Sequence, residues 1–133
     1  MESAKGDHMS KKKILIIDDE IELVNLVKIR LEANGYEVAT ANSGLEGLSQ
    51  AISGLPDLVI LDIAMPEMDG YTTLQKLKEE AKTKNIPVIM LTAHSKMESL
   101  FEMEGVSDYI VKPFEPQDLL SRVNKVLQQG TKE

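Results

Sequence analysis

Cysteine and tryptophan are both absent from this chain of 133 residues, and aromatic side chains make up only 4% of it. Without thiols there is no disulfide and no thiolate-bound metal, an inventory that suits a reducing, cytoplasmic setting. Long apolar runs are missing too. The longest, Ile14–Ile17 and Leu58–Leu61, are strand-sized and far short of the roughly 20 residues that span a bilayer, so no membrane segment is expected. Met1 to Met9 have no hydrophobic centre and hence no secretory signal. Basic charge is also in deficit. Only 15 Lys and Arg stand against 22 Asp and Glu, for a net charge of −7. An acidic surface is repelled by phosphate backbones, so direct binding to DNA or RNA is not expected.

What remains is the composition of one ordinary globular domain, 42% hydrophobic and 28% charged. Residues 1–8, ahead of Met9, read as a vector-derived tail. Residues 9–129 read as the folded domain, and 130–133 as a C-terminal tail or the start of a cut linker. Strand-sized apolar runs alternate with amphipathic stretches of helical length, the pattern of a βα-repeating parallel sheet. The strands are expected at Lys13–Ile17, Tyr36–Ala41, Asp57–Leu61, Pro87–Leu91 and Tyr109–Val111. Those with consecutive apolar residues suit burial on both faces. Helices are expected at Ile21–Asn34, with Gly35 as the stop, and at Gly44–Ser53, where Ser43 caps and Glu46 follows three residues on. Three more are expected: one starting at Asp69-Gly70, a short one from about Lys96 to Glu104, and one over Pro116–Gln129. Five strands and five helices in this order give an open, doubly wound α/β sheet. Functional residues in such sheets gather beyond the carboxyl ends of the strands.

The residues at those ends form a pattern. The first strand runs into Asp18-Asp19, the third into Asp62, the fourth into Thr92 and the fifth into Lys112. A parallel sheet brings them all to one rim. Three carboxylates held together repel one another, and a hard divalent cation that accepts a few carboxylates plus waters and phosphate oxygens compensates them; Mg²⁺ is such a cation. Asp62 is the best-placed nucleophile, because carboxylates form acyl phosphates. Phosphoryl transfer needs mostly charge neutralisation and positioning. A metal at Asp18 and Asp19, the Thr92 hydroxyl and the Lys112 ammonium would each serve one phosphoryl oxygen.

Four segments carry a resemblance to the receiver domains of two-component response regulators. They are Ile14-Leu-Ile-Ile-Asp-Asp-Glu20, Asp57-Leu-Val-Ile-Leu-Asp-Ile-Ala-Met-Pro-Glu-Met-Asp-Gly70, Val88-Ile-Met-Leu-Thr-Ala93 and Asp108-Tyr-Ile-Val-Lys-Pro-Phe114. Together the resemblance covers Lys12 to about Gln128. It implies a flavodoxin-like sheet of strand order 2-1-3-4-5 and a phosphorylated Asp62. Asp19 would ligate Mg²⁺ directly and Asp18 through water, with Asp62 and the Ala64 backbone carbonyl as further ligands and Mn²⁺ as an alternative ion. Thr92 and Lys112 would contact the phosphoryl group, the Lys112–Pro113 peptide would be cis, and Tyr109 would be an aromatic switch coupled to Thr92. His94, two residues past Thr92, is either an exposed bystander or a residue that orients water and tunes phosphoryl lifetime, and Ala64 leaves the opposite flank of the pocket open to water. The donor would be a sensor histidine kinase or a histidine phosphotransfer protein, and phosphorylation would switch a protein-interaction surface. The interval from Thr92 to Lys112 is slightly shorter than the family pattern, the missing length falling between Ala93 and Gly105.

Plainer roles exist for these residues. Asp18, Asp19 and Asp62 each suit a strand end or helix cap, Thr92 suits a strand by its β-branching, and Lys112 suits a surface. A strand tyrosine such as Tyr109 commonly just packs. Three other functions fit the fold class. A phosphatase with an aspartate nucleophile would need a second acid two residues after Asp62, where Ala64 stands. A flavin-binding protein would need a phosphate loop after the first strand, where Asp18-Asp19-Glu20 would repel it. A receiver kept only for docking would not need the full set of five pocket residues.

Overall fold

A computed structural model describes residues 11–64, 69–92 and 106–131. The elements in chain order are β1 (Lys13–Ile17), α1 (Ile21–Ala33), β2 (Glu37–Ala41), α2 (Gly44–Gly54), β3 (Leu58–Asp62), α3 (Gly70–Glu79), β4 (Val88–Thr92), β5 (Val106–Val111) and α4 (Pro116–Thr131). All strand pairs are parallel, and the order across the sheet is β2-β1-β3-β4-β5. Four helices lie among the described residues; the helix expected from about Lys96 to Glu104 falls outside them, as does His94.

The continuous apolar runs of β1, β3 and β4 are buried throughout because helices cover both faces of the sheet. Successive side chains point to opposite faces, which splits the core in two. Ile14, Ile16, Leu58, Ile60, Ile89 and Leu91 pack with Val24, Val27 and Leu31 of α1 and with Leu119 and Val123 of α4. Leu15, Ile17, Val59, Leu61, Val88 and Met90 pack with Ala51 of α2 and with Leu74 and Leu77 of α3. Each large aliphatic side chain withdrawn fully from water contributes about 1.5–3 kcal/mol. That outweighs the weak local preferences of a five-residue strand.

Local chemistry sets the element ends. The stop of α1 is a Schellman motif. Gly35 adopts φ +94, its N–H reaches Glu32 O at 3.1 Å, and the Tyr36 N–H reaches Leu31 O at 3.2 Å. At the start of α2 the Ser43 hydroxyl oxygen accepts the Glu46 N–H at 3.1 Å. The Glu46 carboxylate takes the N–H of Asn42 at 3.2 Å, one residue before the cap. Asp69 caps α3 by accepting the Thr72 N–H at 2.9 Å.

Where the strands differ from expectation, the sheet register explains it. β3 and β4 each extend one residue farther, into Asp62 and Thr92, because Asp62 pairs with Leu91 and Thr92 with Val111. β5 begins three residues earlier than Tyr109. Its register slips beside Val88 and Ile89, whose partners are Val106 and Asp108. Ser107 is left as the extra residue of a bulge, which breaks the alternation that would have marked the strand.

Candidate functional site

The carboxyl ends of β1, β3, β4 and β5 build the site. β1 pairs with β3 through Ile17 and Leu61, so Asp18 and Asp62, the next residue of each chain segment, emerge side by side. Asp18 is 1% exposed and Asp62 4%; Asp19, one residue on, faces solvent. Carboxylate oxygens of Asp18, Asp19 and Asp62 all lie within 4.8 Å of one another.

Lys112, delivered from the end of β5, is the counter-charge. Its Nζ lies 3.1 Å from Asp18 Oδ2, 3.5 Å from Asp62 Oδ1 and 2.8 Å from Glu20 Oε1. Its backbone N–H donates to the Thr92 carbonyl at 2.6 Å, and the Lys112–Pro113 peptide is cis. Burial disfavours the ammonium. Even so, the close contacts to Glu20 and Asp18 and the charges of Asp18 and Asp62 outweigh that penalty, and its pKa rises above the ordinary lysine value.

Asp62 is pulled both ways. Burial and the Asp18 charge push its pKa up from 3.8 to about 6, against the lowering influence of Lys112 and of the Ala64 N–H. The Ala64 N–H donates to Asp62 Oδ1 at 3.4 Å. Asp18 spends Oδ1 on the Glu20 N–H at 2.9 Å. Its buried Oδ2 makes no hydrogen bond, although the lysine is near.

That buried oxygen, two neighbouring carboxylates and a wholly oxygen donor set fit a hard divalent cation, Mg²⁺ above all. Asp62 and Asp18 offer buried oxygens, and Asp19 contributes from the solvent side.

Thr92 is 2% exposed at the end of β4. Tyr109 is half-buried, pairs with Met90 across β4 and β5, and packs on the core cluster of Met90 and Leu61. Ala64 is exposed. Two contributors were not assigned to the pocket from sequence. Glu20 is read there only as part of the acidic run, whereas the structure joins it to Lys112. Gly70 is read as a helix start, whereas the first turn of α3 rests on the backbone of Asp62. A Cβ at residue 70 would stand 2.4 Å from the Asp62 carbonyl oxygen, and the Gly70 N–H donates to Ile63 O at 2.8 Å. A glycine closing a motif that contains the strand-end aspartate was the available signal.

Compared with known families, residues 14–124 match the response regulator receiver domain. The chain belongs to that family. The receiver domain is a phosphoacceptor module of two-component signalling, a switch rather than an enzyme acting on an outside substrate. Among curated relatives it is 40% identical over 119 residues to the DNA-binding dual master transcriptional regulator RpaA of Synechocystis, covering 88% of this chain and 49% of that one. It is 38% identical over 121 residues to the alkaline phosphatase synthesis transcriptional regulatory protein PhoP of Bacillus subtilis, covering 90% and 50%. The receiver domain thus spans about half the length of the curated relatives it matches. Among solved structures, a putative response regulator from Chloroflexus aurantiacus superposes with a TM-score of 0.82 at 38% identity, covering 90% of this chain and 99% of that one. The chemotaxis response regulator CheY4 of Vibrio cholerae gives 0.83 at 34% identity, covering 88% and 99%. Among the described residues no helix is long and apolar enough to cross a membrane.

Proposed function

We propose that Asp62 is the residue phosphorylated in this receiver domain, in the cytoplasm, by a sensor histidine kinase or a histidine phosphotransfer protein. One observation carries the assignment. Asp62 is the one of the three carboxylates that lies within a strand, at the end of central β3, and it is buried beside both the Asp18 carboxylate and the Lys112 ammonium. An Asp62 carboxylate oxygen attacks phosphorus as the bond to the donor's imidazole nitrogen breaks, and the electron pair stays on that nitrogen. Asp19 would hold Mg²⁺ (or Mn²⁺) directly, Asp18 through water, with Asp62 and the Ala64 carbonyl as the remaining protein ligands. When bound, the cation neutralises charge on the phosphoryl oxygens. Lys112 supplies an ammonium to one phosphoryl oxygen and the Thr92 hydroxyl a hydrogen bond to another.

Tyr109, packed half-buried one strand away from the acceptor's neighbours, is assigned as the residue that turns inward when Thr92 moves toward the phosphoryl group. Ala64 and His94 are assigned to tuning how long that group survives. The altered surface would then be read by a partner protein or an attached output domain. RpaA is a DNA-binding regulator about twice as long as the stretch matched here, and the net charge of −7 speaks against direct nucleic-acid contact by this chain.

Acetyl phosphate with Mg²⁺ tests the assignment by intact mass. Wild type is expected to gain ~80 Da, the mass of one phosphoryl group, and Asp62→Asn none. Equal labelling of the two proteins would place the nucleophile elsewhere.

A further inference from the structure

The pocket holds one charged group more than phosphoryl transfer requires. Glu20 Oε1 makes the shortest of the three carboxylate contacts to Lys112 Nζ, 2.8 Å against 3.1 Å for Asp18 and 3.5 Å for Asp62. Helix capping does not explain its side chain. Glu20 occupies the N-cap position of α1 in an extended conformation, yet it makes no side-chain capping bond. Its backbone is held by the acidic pair itself, through the N–H donated to Asp18 Oδ1 at 2.9 Å. The carboxylate therefore stands at the rim, 62% exposed, reaching over a lysine side chain that is only 17% exposed.

An ammonium has three donor hydrogens, and here three carboxylates surround it. A phosphoryl group on Asp62 must take one of those donors. Asp18 and Asp62 are buried and cannot retreat. Glu20 can, because its charge is already largely solvated and an exposed ion pair is weak.

We infer that Glu20 is a counter-ion latch. It holds Lys112 toward α1 while Asp62 is unmodified, and gives the lysine up when the phosphoryl oxygens arrive. Glu20 acts through Lys112, as a positioning residue. The inference rests on Asp62 being the phosphoacceptor. Because the latch competes with the phosphoryl group for the same donor, removing it favours the phosphorylated arrangement.

Beryllofluoride, a phosphoryl mimic, gives the test in the presence of Mg²⁺. Its dissociation constant is measured for wild type, Glu20→Gln, Lys112→Ala and the double variant. Glu20→Gln is expected to bind about two- to fivefold more tightly than wild type at low salt, less so as ionic strength rises, and to make no difference once Lys112 is gone. Unchanged or weaker binding in the presence of Lys112 overturns the latch, as does an equal effect in both backgrounds. A tenfold loss of Mg²⁺ affinity in Glu20→Gln would make Glu20 a cation ligand and overturn it too. A second readout needs no lysine variant. The Lys112 Nζ resonance is expected to differ between wild type and Glu20→Gln before beryllofluoride is added, and to coincide afterwards; identical resonances at the start would count against the contact. If wild type neither binds beryllofluoride nor gains mass at Asp62, the acceptor assignment itself falls, and the latch with it.

Discussion

Asp62 carries a cost that the metal-free protein must bear. Its pKa stands at about 6 in the fold against 3.8 ordinarily, raised by burial and by Asp18. A carboxyl whose folded pKa is raised favours the folded state in its protonated form. That contribution is complete below the ordinary value and disappears as pH climbs through about 6. Above that point the ionised carboxylate is a burden on the order of 3 kcal/mol. In the presence of a chelator, Asp62→Asn is therefore expected to melt higher than wild type at pH 7.5, with the two curves converging toward pH 4. Matched melting temperatures across that range would show that Lys112 already compensates the charge. At this scale the sequence was readable where a residue's place follows from ending a strand, as for Asp18, Asp62, Thr92 and Lys112. Glu20 was not, because its bond to a residue 92 positions away depends on the reach of two flexible side chains.

Among the elements, α2 ends under strain. Leu55 is its C-cap, with φ 48 and ψ 63, and donates its N–H to Ala51 O at 2.9 Å. A side chain bearing a Cβ pays about 1–2 kcal/mol in this left-handed region, and asparagine tolerates it better than most. Leu55 is also 49% exposed, so little packing is lost by replacing it. Leu55→Asn is expected to stabilise the domain by about 0.5–1 kcal/mol, a rise of about 2–4 °C by calorimetry. A lower melting temperature would mean that the leucine's remaining contacts outweigh its backbone strain. The apolar runs of β1, β3 and β4 and the Gly35 stop were legible because burial period and turn chemistry are local. The first half of β5 was not. Its bulge at Ser107 and the polar Asp108, which pairs with Arg122 of α4 at 3.0 Å, obey tertiary rather than local demands.

For the molecule as a whole, fold and site share one free energy. Mg²⁺ bound selectively to the folded state should raise the melting temperature, since a ligand at a hundred times its dissociation constant adds about 2.7 kcal/mol. Asp19→Asn should remove most of that gain while leaving the chelated protein's melting temperature nearly unchanged, because Asp19 faces solvent. A melting curve indifferent to Mg²⁺ would speak against a cation among Asp18, Asp19 and Asp62. The open, doubly wound sheet could be anticipated from the alternation of strand and helix, since parallel strands need covered crossovers, whereas the strand order came from the family resemblance. The docking of α3 could not, because it is decided by the space beside one backbone carbonyl.

That space has a consequence of its own. With only a hydrogen at the α-carbon of residue 70 facing the Asp62 carbonyl, the first turn of α3 closes directly onto the end of β3. A methyl group at residue 70 would meet the Asp62 carbonyl oxygen at 2.4 Å and the Ile63 α-carbon at 2.6 Å, so Gly70→Ala would have to shift the very backbone that carries the Asp62 carboxylate.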